Sequence, residues 1–344
     1  MGARMKKWAY LMTSCIVFLF FLSSAAVGQD SAVLSLKTKI AVPGINGRMD
    51  HFSVDLKGQR LFVSALGNNT VEIFDLKAGK RVRTITGLDA PQGLFFDPST
   101  NHLLVASEDG SVKIYDATSF QLLRTVKLKD DADNIRYDAR NHTVMVGYGG
   151  GKEIRNRPLS PGVIAVMDTD GNPVGEIVTD SHPESFQLEK SGARVFVNVP
   201  DKKEVEVADL TTRTVTDRWP IADAQNFPMA LDESHHRLFV GCRVPAQLLV
   251  LDTTNGKTVA SMDIVGQTDD LFYDAQKSRI YVIGGRGFID VFQQKDPDHY
   301  ERIARNPVPL NTRTGIFVPE WGELLAAVAH GDKQEAEILV YETK

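Results

Sequence analysis

Cysteine is nearly missing from this chain. There are two in 344 residues, Cys15 and Cys242. Cys15 falls in an N-terminal apolar run that reads as a removable leader, so the remaining chain has no pair from which to form an internal disulfide. The usual covalent haem signature, Cys-x-x-Cys-His, is absent. So are a Gly-x-Ser-x-Gly nucleophile elbow and a defensible Ser/His/Asp order. Gly149-Gly150-Gly151 is followed by no Lys-Ser/Thr pair and no helical pattern, so it is not a phosphate loop. There is no excess of basic charge either. The formal net charge is −5, and the leader holds three positive charges and no negative ones, which leaves −8 for the rest. This argues against a general phosphate-binding surface, though not against a local basic patch, and no nucleic-acid partner is expected.

The N-terminus carries the pattern of export. Arg4, Lys6 and Lys7 precede an apolar run from Trp8 to Leu22, followed by Ser23-Ser24-Ala25-Ala26-Val27-Gly28. The small residues fit cleavage after Ala26 or Gly28, giving a signal peptide over residues 1–28 and a periplasmic or secreted product. An uncleaved anchor is the alternative, since the apolar and small residues together just reach spanning length. No later segment approaches about 18 apolar residues, so no membrane contact is expected after cleavage.

One pattern repeats along the rest of the chain: an apolar strand ending in Asp, a polar turn, an apolar strand, a second turn, and another strand ending in Asp. The first copy is HFSVD, KGQR, LFVSA, GNNT, VEIFD. The first-strand anchors are Asp55, Asp97, Asp138, Glu189, Asp232, Asp274 and Pro319, spaced 42, 41, 51, 43, 42 and 45 residues apart. A period near 42 with four strand-sized segments is the length of a propeller blade. The spacing predicts an all-β fold: a seven-bladed β-propeller over residues 29–344, with four-stranded blades. The seventh copy lacks its outermost strand, and Leu34 to Ile40 has no blade of its own, so that N-terminal strand is expected to complete the last blade.

The LFVS, LLVAS, VFVN, LFVG and IYVI strands, with turns such as Asp252-Thr253-Thr254-Asn255-Gly256-Lys257, resemble the YVTN or YncE-like propeller repeats of exported bacterial proteins. The resemblance covers nearly the whole chain after the leader. It implies the fold and brings no catalytic motif with it.

Aligning the copies yields a candidate ligand site. Five places before the anchors, at the expected upper mouth of the channel, stand Asp50, Gln92, Asp133, Glu184, Phe227, Asp269 and Thr314. The next column is His51, Gly93, Asn134, Ser185, Pro228, Asp270 and Gly315, with Arg313 as a counter-charge. Such a ring suits a divalent cation such as calcium, a cationic or polyhydroxylated ligand, or a wet channel mouth whose acids only cap backbone N–H groups. Arg243, Arg286 and His330 fall on matching rim loops, as does an insertion in the third copy, from Gly147 to Pro158, carrying Lys152, Arg155 and Arg157. His235-His236 reads as a solvated turn and Cys242 as a buried apolar residue.

The functional expectation is an exported, monomeric, non-catalytic binding or scaffold propeller whose upper face holds a small molecule or another protein. Two alternatives stand beside it. One is a metal-assisted hydrolase of the lactonase type, using His51, Asp133, Glu184 and Asp270. The other is a docking subunit for a periplasmic dehydrogenase, on analogy of fold alone.

Overall fold

The computed structural model describes Met1 and residues 33–151, 161–331 and 334–344. All of the expected leader over residues 1–28 except Met1 lies outside the described residues, as do Lys152, Arg155 and Arg157 of the third-copy insertion. Among the described residues no helix is long and apolar enough to cross a membrane.

The Asp residues that mark the repeat are the devices that end its strands. Asp97 accepts from the backbone N–H and hydroxyl of Ser99 and from the hydroxyl of Thr100. Asp138 accepts from Arg140 N–H and Asn141, and Asp274 from the N–H groups of Gln276 and Lys277. The strand-ending aspartates of the third strands work alike: Asp75 takes Ala78 N–H, and Asp252 takes Thr254 N–H. A short carboxylate that bonds backbone two or three residues on closes a tight turn and stops the strand. The residue completing the first turn is left-handed in six blades: Gln59, Asn101, His142, His236, Ser278 and Gly322. His235-His236 is indeed such a turn, with His235 Nδ1 held 2.7 Å from Asp232.

Among the described residues the strands make seven four-stranded antiparallel sheets. The inner strands are Phe52–Asp55, Pro91–Asp97, Ile135–Asp138, Phe186–Leu188, Ala224–Asp232, Thr268–Asp274 and Gly315–Val318. Six blades take their strands in chain order. The seventh is built as Leu34–Ala41, Glu337–Thr343, Glu323–Val328, Gly315–Val318, so the N-terminal strand does complete the last blade.

The middle strands are apolar on both faces because both faces are covered. In Arg60–Ala65, Leu61 and Val63 pack toward blade seven, while Phe62 packs toward Phe96 and Leu103 of blade two. The buried apolar residues fall accordingly into seven clusters, one in each seam between neighbouring blades. Trp219 and Cys242 belong to the seam between blades four and five, and burial pushes the Cys242 thiol up to about 12, which rules out a reactive thiolate.

Ile40 of the closing strand is buried against blade one and pairs with Ile338, whereas Leu36 of the same strand is exposed. Ile40→Ala should cost about 3 kcal/mol in denaturant unfolding. Leu36→Ala should change stability by no more than about 0.5 kcal/mol. Equal effects would show that the strand is not packed into blade seven.

Candidate functional site

All seven inner strands contribute to one cavity of about 380 Å³ along the axis, from Phe52, Leu94 and Ile135 round to Leu271 and Ile316. A second cavity, about 360 Å³, lies above it and is lined by residues at or just before the starts of the inner strands of blades one to six, with Pro200, Asp201 and Arg243 from the ends of second strands and the loops that follow them. His51 and Ser185 line both, forming the floor of the upper space and the roof of the lower one. The blades approach very closely here. A Cβ on Gly93 would sit 2.0 Å from the backbone oxygen of Asp133, so only glycine fits between blades two and three at this level.

Asp50, His51, Gln92, Asp133, Asn134, Glu184 and Asp269 line the upper cavity together. Asp270 lies one layer lower, lining the axial cavity, where it accepts from Gly315 N–H at 2.9 Å. Arg313 stands beside the upper cavity as counter-charge to Asp269, at 3.5 Å. Of the three expected rim cations, Arg243 alone reaches the cavity. It pairs with Asp269, donates to Thr268 O, and lies 3.8 Å over the Phe227 ring. Arg286 and His330, on the matching rim loops, are exposed and do not line it. The Arg286 side chain runs instead beside Gly266.

Pro200 and Asp201 line the cavity from a loop outside the aligned columns, and three residues near the inner-strand starts also escaped the repeat alignment: Arg48, Asp131 and His182. Arg48 donates to Asp50 at 2.9 Å, and Asp131 accepts from Gln92 at 3.0 Å. His182 Nδ1 sits 2.6 Å from Gly149 O and 3.9 Å from Asp131. All three occupy the column two places before the carboxylate ring. Extended residues two apart share a face, so that column was the available signal.

The charges are arranged in contact with one another. His51 Nε2 is 3.5 Å from Asp133, and its Nδ1 is 3.7 Å from Asp270. Burial alone would lower the imidazolium's pKa, but the contact with Asp133 and the charges of Asp50 and Asp270 outweigh it and push it up to about 9. Burial also raises Asp133, yet His51, His182 and Arg48 outweigh it and hold the carboxyl below its ordinary value. Glu184 goes the other way: burial and the neighbouring Asp133 charge push it up to about 7. Arg136, below the floor, is lowered by burial and donates to Phe186 O, Ile135 O and Ser185 Oγ.

The upper cavity thus offers fixed cations, fixed anions and one carboxyl, Glu184, that can hold or release a proton near neutrality. Asp133, His182 and Glu184 also bring ligand atoms within 4.8 Å of one another, a set able to hold a divalent metal.

The folded value of His51 lies above the 6.5 of an unperturbed imidazole. Its contribution to stability is therefore complete below pH 6.5 and is lost as pH rises through about 9. Wild type should lose on the order of 3 kcal/mol more than His51→Gln over that window in denaturant unfolding. Parallel curves would show that His51 is not held as a cation.

No family model matches the sequence, and no curated protein matches it. Solved structures do match. A chain in the crystal structure of a mitotic checkpoint complex superposes with a TM-score of 0.75 at 15% identity, covering 96% of this chain and 99% of that one. The Cps50 (Swd1) β-propeller domain of Myceliophteria thermophila superposes with a TM-score of 0.70 at 14% identity, covering 90% and 100%. At that identity the likeness is one of fold, and it identifies the chain as a seven-bladed β-propeller.

Proposed function

We propose that this is an exported, non-catalytic binding propeller whose upper-face cavity holds a small polar ligand bearing both a cationic and an anionic or hydroxyl group. The observation that carries the reading is the mixed lining of one buried cavity. Arg48, Arg243 and His51 stand among Asp50, Asp133 and Asp269, each in contact with a partner of opposite charge, with the Glu184 carboxyl beside them. A site preset with both signs favours a ligand that can satisfy both, such as a zwitterion or an amino sugar, over a simple anion or cation. The Phe227 ring, which carries the Arg243 guanidinium over it, adds an aromatic side chain to the same lining. Export rests on the leader pattern of residues 1–28. Kinship with the YVTN or YncE-like repeats belongs to the same reading, because those repeats mark exported propellers.

A second reading is favoured by one specific feature. The Asp133, His182 and Glu184 set matches a metal that polarises a carbonyl, with a carboxylate serving as base. This is the hydrolase alternative with His182 in place of the His51 and Asp270 expected from sequence. His51 is unsuited to that role, since an imidazolium held between Asp133 and Asp270 does not ligate a metal.

A thermal-shift panel of amino acids, betaines, amino sugars and polyols on the purified chain tests the first reading. At least one zwitterionic or polyhydroxylated member should raise the melting temperature by several degrees at saturation. The response should disappear in an Asp133→Asn, Glu184→Gln double variant that melts as a folded protein. A panel without any such member, or a variant that responds as wild type does, would contradict it. Elemental analysis before and after chelation separates the readings. A bound transition metal whose removal alone lowers the melting temperature would favour the hydrolase.

A further inference from the structure

On the third strand of each blade one position pairs with the fourth residue of the second strand, as it does opposite Val63, Val197 and Val282. In three blades this position is acidic: Glu72, Glu206 and Asp290, each fully buried. A buried carboxylate has to be saturated by donors or neutralised. Glu72 is saturated, accepting from Thr70 at one oxygen and from Arg81 and Thr84 at the other. Asp290 is saturated too. Arg305, directly opposite on the outer strand, donates to both oxygens, and Val265 N–H adds a third bond.

Blade four breaks the rule. Arg218 stands directly opposite Glu206, in the place of Arg305. It turns away and donates twice to Asp180 of blade three, at 2.7 and 2.9 Å, coming no nearer than 3.8 Å to Glu206. Glu206 Oε1 accepts from Asp180 N–H at 2.9 Å. Glu206 Oε2 has no hydrogen-bond partner, although the residue is completely buried. Glu204, two residues earlier on the same strand, also has a hidden oxygen without a partner. Oxygens of Asp180, Glu204 and Glu206 lie within 4.8 Å of one another. Three carboxylates therefore share one guanidinium, Arg218, and the more distant ammonium of Lys202.

We propose that Asp180, Glu204 and Glu206 form a site for a hard divalent cation of the calcium class, in the seam between blades three and four. Oxygen-only donors from three carboxylates are the ligand set such cations take, with water completing the shell. One buried, one half-buried and one exposed carboxylate leave the shell open to solvent on the Asp180 side. The site is separate from the upper-cavity set, sharing no residue with it. The two are joined through the chain: Asp180 lies two residues before His182, so a bound cation would fix the segment that places His182 at the channel mouth.

The test uses the full chain carrying Asp133→Asn and Glu184→Gln, which removes the upper-cavity set as a competing site. Calcium chloride is titrated calorimetrically into the chelator-treated protein, with folding checked by circular dichroism. One equivalent should bind with an affinity in the range of about 10⁻⁵ to 10⁻³ M. Adding Glu206→Gln should weaken binding at least tenfold, and so should Asp180→Asn at the exposed end of the site. If Glu206→Gln does not fold, Asp180→Asn alone decides. Absence of binding up to about 10 mM calcium, or an affinity within twofold of the parent in the folded variants, would overturn the proposal.

Discussion

Every blade of this protein is a sheet with two apolar faces, and neither face can be left to water. That requirement sets the architecture. Phe62 and Leu61 are adjacent on one strand and belong to different cores, one on each side of blade one. The same holds for Phe196 and Val195 in blade four. A stack of such sheets terminates only by closing on itself, and the closing contact is the pairing of Leu34–Ala41 with Glu337–Thr343. It removes two sheet edges at once and buries Ile40 in the seam between blades seven and one.

Closure also explains why the chemistry gathers at the axis. Seven inner strands converge there, and the residues that enter them stand around one mouth. Residues as distant in sequence as His51 and Asp270 come within 3.7 Å. The apolar seams are the rigid part, and the mouth is where the ring tolerates charge. Its acids are kept there by compensation: Arg48 with Asp50, Arg243 and Arg313 with Asp269, and His51 between Asp133 and Asp270. The partial exceptions are Glu184, pushed toward neutrality by burial and by Asp133, and Glu206, left in its seam when Arg218 turns to Asp180. Both are places where a ligand could complete what the protein leaves open.

The blade number, the closing strand and the carboxylate ring were legible in the sequence because all three follow from the repeat. The Asp at each strand end announces its turn, as Asp97 and Asp138 do through their bonds to the next residues. Aligning those anchors places Asp50, Asp133, Glu184 and Asp269 at one level without knowledge of any contact. Arg48, Asp131 and His182 stood one alternation away and were passed over, because a column of mixed residue types carries no pattern of its own. The cations failed for another reason. Arg243 and Arg286 are equivalent by loop position, but long side chains choose partners by local geometry. Arg243 finds Asp269 and the Phe227 ring, while Arg286 stays in solvent beside Gly266. The seam site was invisible in sequence, since the direction Arg218 takes is a tertiary fact.

Ring closure holds His51 as a cation between two carboxylates at the floor of the upper cavity. An NMR titration of the imidazole nitrogens, with His51 assigned by its substitution, reads this directly. The expected result is an imidazolium that persists through neutral pH and titrates near 9. Titration near the 6.5 of an unperturbed histidine would contradict it, and with it the charge-compensated mouth on which the proposed ligand site rests.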